Sequence, residues 1–90
     1  MKQLPIKSPA AVVDYGVRWA RYLAEGDSLA TSTWSIAGTA TLSAPAIAGT
    51  DTRVWLTGGT AGETLVLTNR ITTALGRTDE RSFSVPVRPR

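Results

Sequence analysis

The side chains of this chain that could do chemistry are two adjacent carboxylates, Asp79 and Glu80, and many serine and threonine hydroxyls. Neighbouring residues of a β-strand project to opposite faces, so Asp79 and Glu80 cannot act together as the acid and base of a glycosidase. The hydroxyls lack a base, because the 90 residues include no His and no Gly-x-Ser-x-Gly nucleophile turn. The residue types and their spacing therefore predict a protein that is not an enzyme.

The composition also argues against cofactors. Without Cys or His there is no disulfide framework, and the usual ligand sets for zinc, copper and iron are missing. The glycine-rich run 58–62 lacks the Lys-Ser/Thr pair that ends a phosphate-binding loop, so it is interpreted as a turn. No catalytic, cofactor-binding or metal-binding residues are predicted.

The net charge is +3, but the ten basic residues are scattered along the chain. A protein that binds nucleic acid usually gathers its cations on one face among stacking aromatics, and only the Arg88-Pro89-Arg90 end approaches such a cluster. Nucleic acid is therefore not an expected partner. The apolar runs are far shorter than the roughly 20 residues that cross a bilayer, so no membrane contact is expected either.

The N-terminal segment, residues 1–11, contains Pro5 and Pro9 and has no clear hydrophobic period. It also lacks the charged, apolar and small-residue regions of a signal peptide, which predicts synthesis in the cytoplasm. We expect an extended arm outside the core over residues 1–11, followed by one domain over residues 12–90. Within the arm, Leu4, Pro5, Ile6 and Pro9 are candidate partner-binding residues, because a proline-flanked apolar segment can order on a neighbouring protein.

The most informative feature is a long predicted β-hairpin. Thr64–Thr73 and residues 77–87 alternate apolar and polar side chains, as half-buried antiparallel strands do. A three-residue loop, 74–76, with Gly76 in the left-handed conformation keeps both apolar rows on one face. The predicted register pairs Leu67 with Phe83 and Leu65 with Val85. It also places Arg70 opposite Glu80 on the outer face, where an ion pair would help to select the register.

Four further regions resemble strands or edges. Residues 13–19 and 28–36 alternate in the same way, residues 52–57 form another strand, and the small-residue region 37–48 is expected to give short strands near a sheet edge. A single helical turn is possible at 19–24. About seven short strands separated by turns indicate an all-β protein, an antiparallel β-sandwich.

Strand parity assigns positions to the polar and aromatic residues. Trp34 shares a face with Ile36 and is predicted to be the central core tryptophan. Asn69 shares the inward parity of Leu67 and Ile71, so its amide should bond to backbone or to Arg81 opposite it. Trp55 is out of phase with Val54 and Leu56, faces outwards, and is the first candidate for a partner contact.

Several motifs together resemble a family of small immunoglobulin-like structural proteins of tailed bacteriophages and prophages. They are Asp14-Tyr15 with Trp19, the run Ala30-Thr31-Ser32-Thr33-Trp34, the segment 54–62, the run 68–73, and Gly76-Arg77-Thr78-Asp79-Glu80-Arg81-Ser82. The resemblance spans about residues 14–87. It implies an immunoglobulin-like β-sandwich and a non-enzymatic component of the virion, made in the host cytoplasm.

The favoured hypothesis is a capsid decoration or stabilising protein that binds the major capsid protein, or another virion protein, through the arm and one sheet face; the chain could also form a homo-oligomer. A small domain with an arm suits a repeated lattice, where weak contacts add. Two alternatives stay open: a tail or neck component, and a carbohydrate-binding adhesion module, which would need at least two exposed aromatics.

Overall fold

The computed structural model describes residues 7–88, which form six β-strands. They are β1 (Val12–Arg18), β2 (Leu29–Ala37), β3 (Ala40–Ala48), β4 (Asp51–Gly58), β5 (Thr64–Thr73) and β6 (Thr78–Pro86). Two three-stranded antiparallel sheets result, with strand orders β1-β4-β3 and β2-β5-β6. The all-β prediction is confirmed. The expected seventh strand is absent from residues 7–88, because the segment before β1 makes only a single parallel bridge, from Lys7 to Val87.

The predicted hairpin has the predicted register. Leu65 pairs with Val85, Leu67 with Phe83, and Arg70 with Glu80. Gly76 has a φ of 90°, in the left-handed region, and the backbone N–H of Thr73 donates to Arg77 O at 2.8 Å to close the loop. Turn geometry and hydrophobic parity therefore act together to set this register.

The expected ion pair across the hairpin does not form. Arg70 and Glu80 lie opposite each other, yet within residues 7–88 the ion pair that forms joins Arg53 and Asp14 instead. Exposed long side chains gain little from one fixed geometry, so the register does not need this contact.

The small-residue region forms one strand and not several short ones. β3 is nine residues long and lies at the edge of its sheet, as its composition suggested. Ala44 has a φ of 47° and the pairing with β4 shifts between Ser43 and Ala46, which marks a bulge around Pro45. Proline lacks a backbone N–H, so an edge bulge is a position that tolerates it.

The core fills the space between the two sheets. Its main cluster combines residues of both sheets: Ala40, Val54, Leu56, Leu65, Leu67, Val85 and Val87. A second cluster contains Val17, Trp19 and Ile71. Trp34 and Phe83 pack against both clusters, with their rings edge to face at 6.1 Å.

The fully buried tryptophan is Trp19 and not Trp34. Trp34 is half-buried, because β2 is an edge strand and leaves one side of the indole without a neighbouring strand. Trp19 follows β1 and begins a turn in which its carbonyl accepts from the N–H groups of Tyr22 and Leu23, in the region where a helical turn was expected.

Asn69 links the two sheets through four hydrogen bonds. Its Oδ1 accepts from Trp19 Nε1 at 2.9 Å and from Thr52 Oγ1 at 2.6 Å, both on the side of the β1-β4-β3 sheet. Its Nδ2 donates to Ser32 Oγ at 2.9 Å and Thr33 O at 3.3 Å in β2. The expected bond to backbone is present, whereas Arg81 lies over the Trp19 ring instead, 5.0 Å from its centroid. The side-chain amide is fully buried and its two donors and two acceptor sites are all used.

The predicted arm is not a separate unit from Lys7 onwards. Lys7 is 1% exposed, its Nζ donates to Gly58 O and Ser8 O, and burial lowers its pKa. Its backbone N–H donates to Pro86 O, and its carbonyl accepts from the N–H of Arg88. The lysine stem can lie along apolar surface while carbonyl oxygens satisfy the ammonium group, so this part of the segment packs on the sandwich.

Glu63 joins two of the crossings between the sheets. Its carboxylate accepts hydrogen bonds from Thr39 N, from Thr39 Oγ1 and from the Thr60 backbone N–H. These bonds hold the β2–β3 loop against the β4–β5 loop. These donors, the Thr39 hydroxyl first, hold the pKa of Glu63 below its ordinary value. The carboxylate therefore stabilises the fold in its ionised form.

The left-handed Gly76 gives a first prediction. Gly76→Val should lower the free energy of unfolding by about 1 to 2 kcal/mol, because a β-branched residue is strained at this φ. Chemical denaturation measures the loss. A change of only a few tenths would contradict the turn geometry.

The hydrogen bonds of Asn69 give a second prediction. Asn69→Leu should destabilise by at least about 2 kcal/mol, since it leaves the buried indole N–H of Trp19 without an acceptor. Thr68→Val, on the outer face one residue away, is the control and should change stability by less than about 1 kcal/mol. Equal effects of the two substitutions would show that the network is not a main source of stability.

A third prediction concerns how the stability of the protein changes in acid. Because the folded pKa of Glu63 is depressed, its stabilising effect is present above about pH 4.5 and is lost as the pH falls through the lower folded value. On acidification from about pH 6 to about pH 3, the thermal midpoint of Glu63→Gln should therefore fall less than that of the wild type. Glu25→Gln, in the exposed connection after β1, should leave the wild-type acid dependence; if it matched Glu63→Gln, the effect would not belong to Glu63.

Candidate functional site

Residues 7–88 contain no arrangement suited to binding a metal ion. No group of three or more Asp or Glu side chains among them comes together as a possible ligand set. This part of the chain also has no helix long and apolar enough to span a bilayer. The two outer faces of the sandwich are the surfaces considered as candidate sites.

The first surface is the outer face of the β1-β4-β3 sheet, here called the tryptophan face. Directly paired residues of neighbouring strands share a face, so the register defines its rows. Its members, row by row, are Val12, Thr57 and Thr41; Asp14, Trp55 and Ser43; Gly16, Arg53 and Ala46. One aromatic side chain thus stands among small and polar neighbours.

Trp55 is the centre of this face. It is 38% exposed, whereas Val54 and Leu56 on either side are fully buried, so strand alternation alone turns the indole outwards. Arg53 Nε lies 3.6 Å from Asp14 Oδ2 beside it, and Val12 in the adjoining row is 58% exposed. An exposed aromatic with a polar rim resembles the centre of a protein interface.

Several residues of the tryptophan face near Trp55 have short side chains or none. At Gly16, an added Cβ would overlap the backbone oxygen of Thr52, so a side chain does not fit there without a shift. Ser43 and Ala46 on the opposite strand are also small. A partner can therefore approach Trp55 across a nearly flat surface.

The second surface is the outer face of the β2-β5-β6 sheet, here called the hydroxyl face. Most of its members are Ser or Thr: Thr31, Thr33, Ser35, Thr64, Thr68, Thr72, Thr78, Ser82 and Ser84. Thr68 Oγ1 and Ser82 Oγ share a hydrogen bond of 2.8 Å. Val66, 39% exposed, is its largest apolar side chain. Its charged residues are Arg70 and Glu80, which lie opposite each other.

The predicted partner-binding residues do not all fall within the structure. Leu4, Pro5 and Ile6 lie outside the described residues. Pro9 is half-buried in a turn closed by the Ala11 N–H and Ser8 O at 3.1 Å, directly before β1. Val12, the first residue of β1, pairs with Thr57, which is two residues from Trp55 along β4. The turn therefore lies at the end of the sheet that Thr57 occupies.

The five residues predicted to be structural do not form one site. Trp34 and Asn69 lie between the sheets, Arg70 and Glu80 on the hydroxyl face, and Gly76 in the hairpin loop.

Sequence reasoning did not identify Lys7 or Glu63 as connecting residues. Both act on loop backbone far away in sequence, at Gly58 and at Thr39. A period in the hydrophobic pattern carries no information on such contacts. One signal was available: Lys7 precedes a Ser-Pro turn, where a chain changes direction.

Comparison with known families places the chain among phage proteins. The sequence model of the family described as podophage GP4 fiber-tail adaptor protein gp77 matches residues 7–86, which include all six strands. No curated protein shows significant similarity to the chain. The predicted resemblance to virion structural proteins is confirmed at that level, but it does not extend to a capsid decoration family. The chain belongs to the podophage fiber-tail adaptor family and is a structural component of the virion.

Proposed function

We propose that this protein is an adaptor that connects a tail fibre to the tail of a podophage particle, without catalysis. The observation that carries the proposal is the family match over residues 7–86, that is, over both sheets together. This function corresponds to the tail alternative raised from the sequence and is better supported than binding to the major capsid protein.

An adaptor needs two contact surfaces, and the sandwich offers two of different chemistry. The tryptophan face presents an aromatic anchor with an ion pair at its rim. The hydroxyl face, on the opposite side, presents short polar side chains and one exposed Val66. Two unlike faces can bind two unlike proteins, since specificity depends on differences in shape and polarity. We propose that the tryptophan face binds the fibre side.

We further propose that the fold is immunoglobulin-like. The constant-type arrangement has strands A, B, E and D in one sheet and C, F and G in the other. The orders β1-β4-β3 and β2-β5-β6 correspond to B-E-D and C-F-G without strand A. Trp34 on β2 then occupies the strand that carries the core tryptophan of such domains, which supports the proposal.

The N-terminal segment is the second element of the proposed attachment. Leu4, Pro5 and Ile6 precede Lys7, which is anchored on Gly58 at the end of β4. The Lys7 backbone bonds to Pro86 and Arg88 at the end of β6, while its Nζ reaches Gly58 in the sheet that carries Trp55. We propose that within residues 1–11 the apolar residues before Lys7 contact a neighbouring virion protein, whereas Lys7 packs on the domain that residues 12–90 were expected to form.

The carbohydrate-binding alternative receives less support. A glycan platform needs two or more exposed aromatic rings, and among residues 7–88 Trp55 is the one aromatic with a large exposed fraction. Glycan binding that disappeared in Trp55→Ala would nevertheless replace the adaptor proposal.

The proposal predicts that Trp55→Ala weakens fibre attachment strongly. Loss of an interface hot spot of about 2 kcal/mol lowers affinity roughly 30-fold. The measurement is the number of fibres per particle by electron microscopy, after complementing a phage that lacks the gene with each variant. Leu75→Ala, which truncates an exposed apolar side chain in the hairpin loop outside both faces, is the control for folding and for general surface effects.

A tagged copy of the protein should also be found at the tail–fibre junction in labelled particles. Label distributed over the head shell would contradict the adaptor function and would instead support the hypothesis that the protein binds the capsid. Full fibre occupancy with Trp55→Ala would rule out the tryptophan face as the fibre contact.

A further inference from the structure

We propose that the free edge of β2 pairs antiparallel with β2 of a second copy of this chain, giving a twofold dimer with a continuous six-stranded sheet. The proposal concerns contact between copies and is independent of which virion protein each outer face binds. It follows from the hydrogen-bond pattern, from the state of the other edges and from the sequence of β2.

The hairpin fixes which backbone groups of β2 are free. Thr73 N–H donates to Arg77 O and Val87 N–H to Glu63 O, so odd-numbered residues of β5 bond to β6. Its even-numbered residues then bond to β2, where their partners Thr33 and Ser35 are odd-numbered. The N–H and C=O groups of Ser32, Trp34 and Ile36 therefore point away from the sheet, as a row of unpaired donors and acceptors.

Two other edges are protected. β3 has its bulge at Ala44 and Pro45. On β6, Asp79 Oδ1 accepts from the Glu80 N–H at 2.8 Å, Pro86 has no N–H, and Pro86 O accepts from Lys7. Bulges, prolines and capped amides are devices that prevent edge pairing.

The remaining edge, β1, has charged side chains. It is seven residues long and includes Asp14 and Arg18. β2 contains no proline and carries no charged side chain. Its pairing with β5 shifts between Leu29 and Thr31 and is regular from Thr31 to Ala37, so the regular part of this edge is open. In a chain of net charge +3, an uncharged edge is where two copies meet without repulsion.

The sequence of β2 complements itself about Thr33. In a twofold antiparallel pairing centred there, Ser32 lies opposite Trp34 of the second copy, so on the inner face a large side chain meets a small one. On the outer face, Thr33 meets Thr33 of the second copy, and Thr31 meets Ser35. Pairs of Thr and Ser across strands are favourable, so both faces fit.

The pairing would also cover apolar surface that the monomer leaves open. β2 and β3 pack beside each other, and Trp34, Ile36 and Leu42 on this side are only partly buried, while Ile47 is 40% exposed. Interfaces below about 1,200 Å² are typical of weak complexes, so we expect a reversible dimer that forms as concentration rises.

Sedimentation equilibrium of the full chain tests the proposal. The wild type should pass from monomer to dimer with concentration, and Thr33→Glu should weaken the dimer at least about tenfold, because two carboxylates meet at the axis. Within one copy Thr33 pairs with Arg70, so this glutamate does not harm the fold. Ser84→Glu on β6 adds the same charge away from β2 and should dimerise like the wild type.

Mixing Thr33→Glu with Thr33→Lys should restore association, since opposite charges then meet at the axis. A wild type that stays monomeric at every concentration would overturn the proposal and leave β2 as an edge for a strand of another virion protein. Equal weakening by Thr33→Glu and Ser84→Glu would overturn it as well.

Disulfide trapping provides a second measurement. The chain has no Cys, so Thr33→Cys introduces a single thiol. A non-hydrogen-bonded antiparallel pair has Cα atoms about 4.5 Å apart, within the range that a disulfide bridges. Mild oxidation should give a crosslinked dimer much faster for Thr33→Cys than for Ser84→Cys. Equal rates for the two variants would overturn the proposed axis.

Discussion

The buried amide of Asn69 is the contact on which the arrangement of the two sheets depends. Hydrophobic packing between sheets is nonspecific in direction and tolerates sliding, whereas hydrogen bonds do not. Asn69 on β5 accepts hydrogen bonds from Trp19 and Thr52 on the side of one sheet and donates hydrogen bonds to Ser32 and Thr33 of the other. Any shift of one sheet over the other would leave at least one buried polar group without a partner, so one relative position is selected.

The hairpin was predictable because its determinants are local. Parity of Leu65, Leu67, Phe83 and Val85, with one loop glycine, is enough to define a register. Contacts between distant segments were not predictable in the same way. The inward parity of Asn69 indicated that it needed partners, but four partners from three separate parts of the chain leave no shared pattern. Trp19 and Trp34 have equal parity signals, and β1 and β2 are both edge strands. Trp19 is the fully buried one because it lies just beyond β1, where Asn69, Tyr22 and Arg81 contact its ring.

The candidate surfaces show the same division. Outward Trp55 follows from the alternation of one strand, while its neighbours Asp14 and Ser43 depend on which strands lie beside β4. Lys7 shows the opposite case, since the Ser-Pro turn after it indicates a change of chain direction but not that the charged side chain is buried. Its ammonium group becomes compatible with the interior only when the Gly58 carbonyl is brought to it by the finished fold.

The bulge at Ala44 and Pro45 has a consequence for the protein before it enters a particle. Open strand edges on both sides of a small sandwich would let copies stack without limit into filaments, and such growth would remove material needed for assembly. The proline that interrupts β3, and the contacts of Asp79 and Lys7 at the two ends of β6, disfavour sheet growth through these strands. The irregular edge thus acts as a stop on polymerisation and helps to keep free copies in solution until they are incorporated.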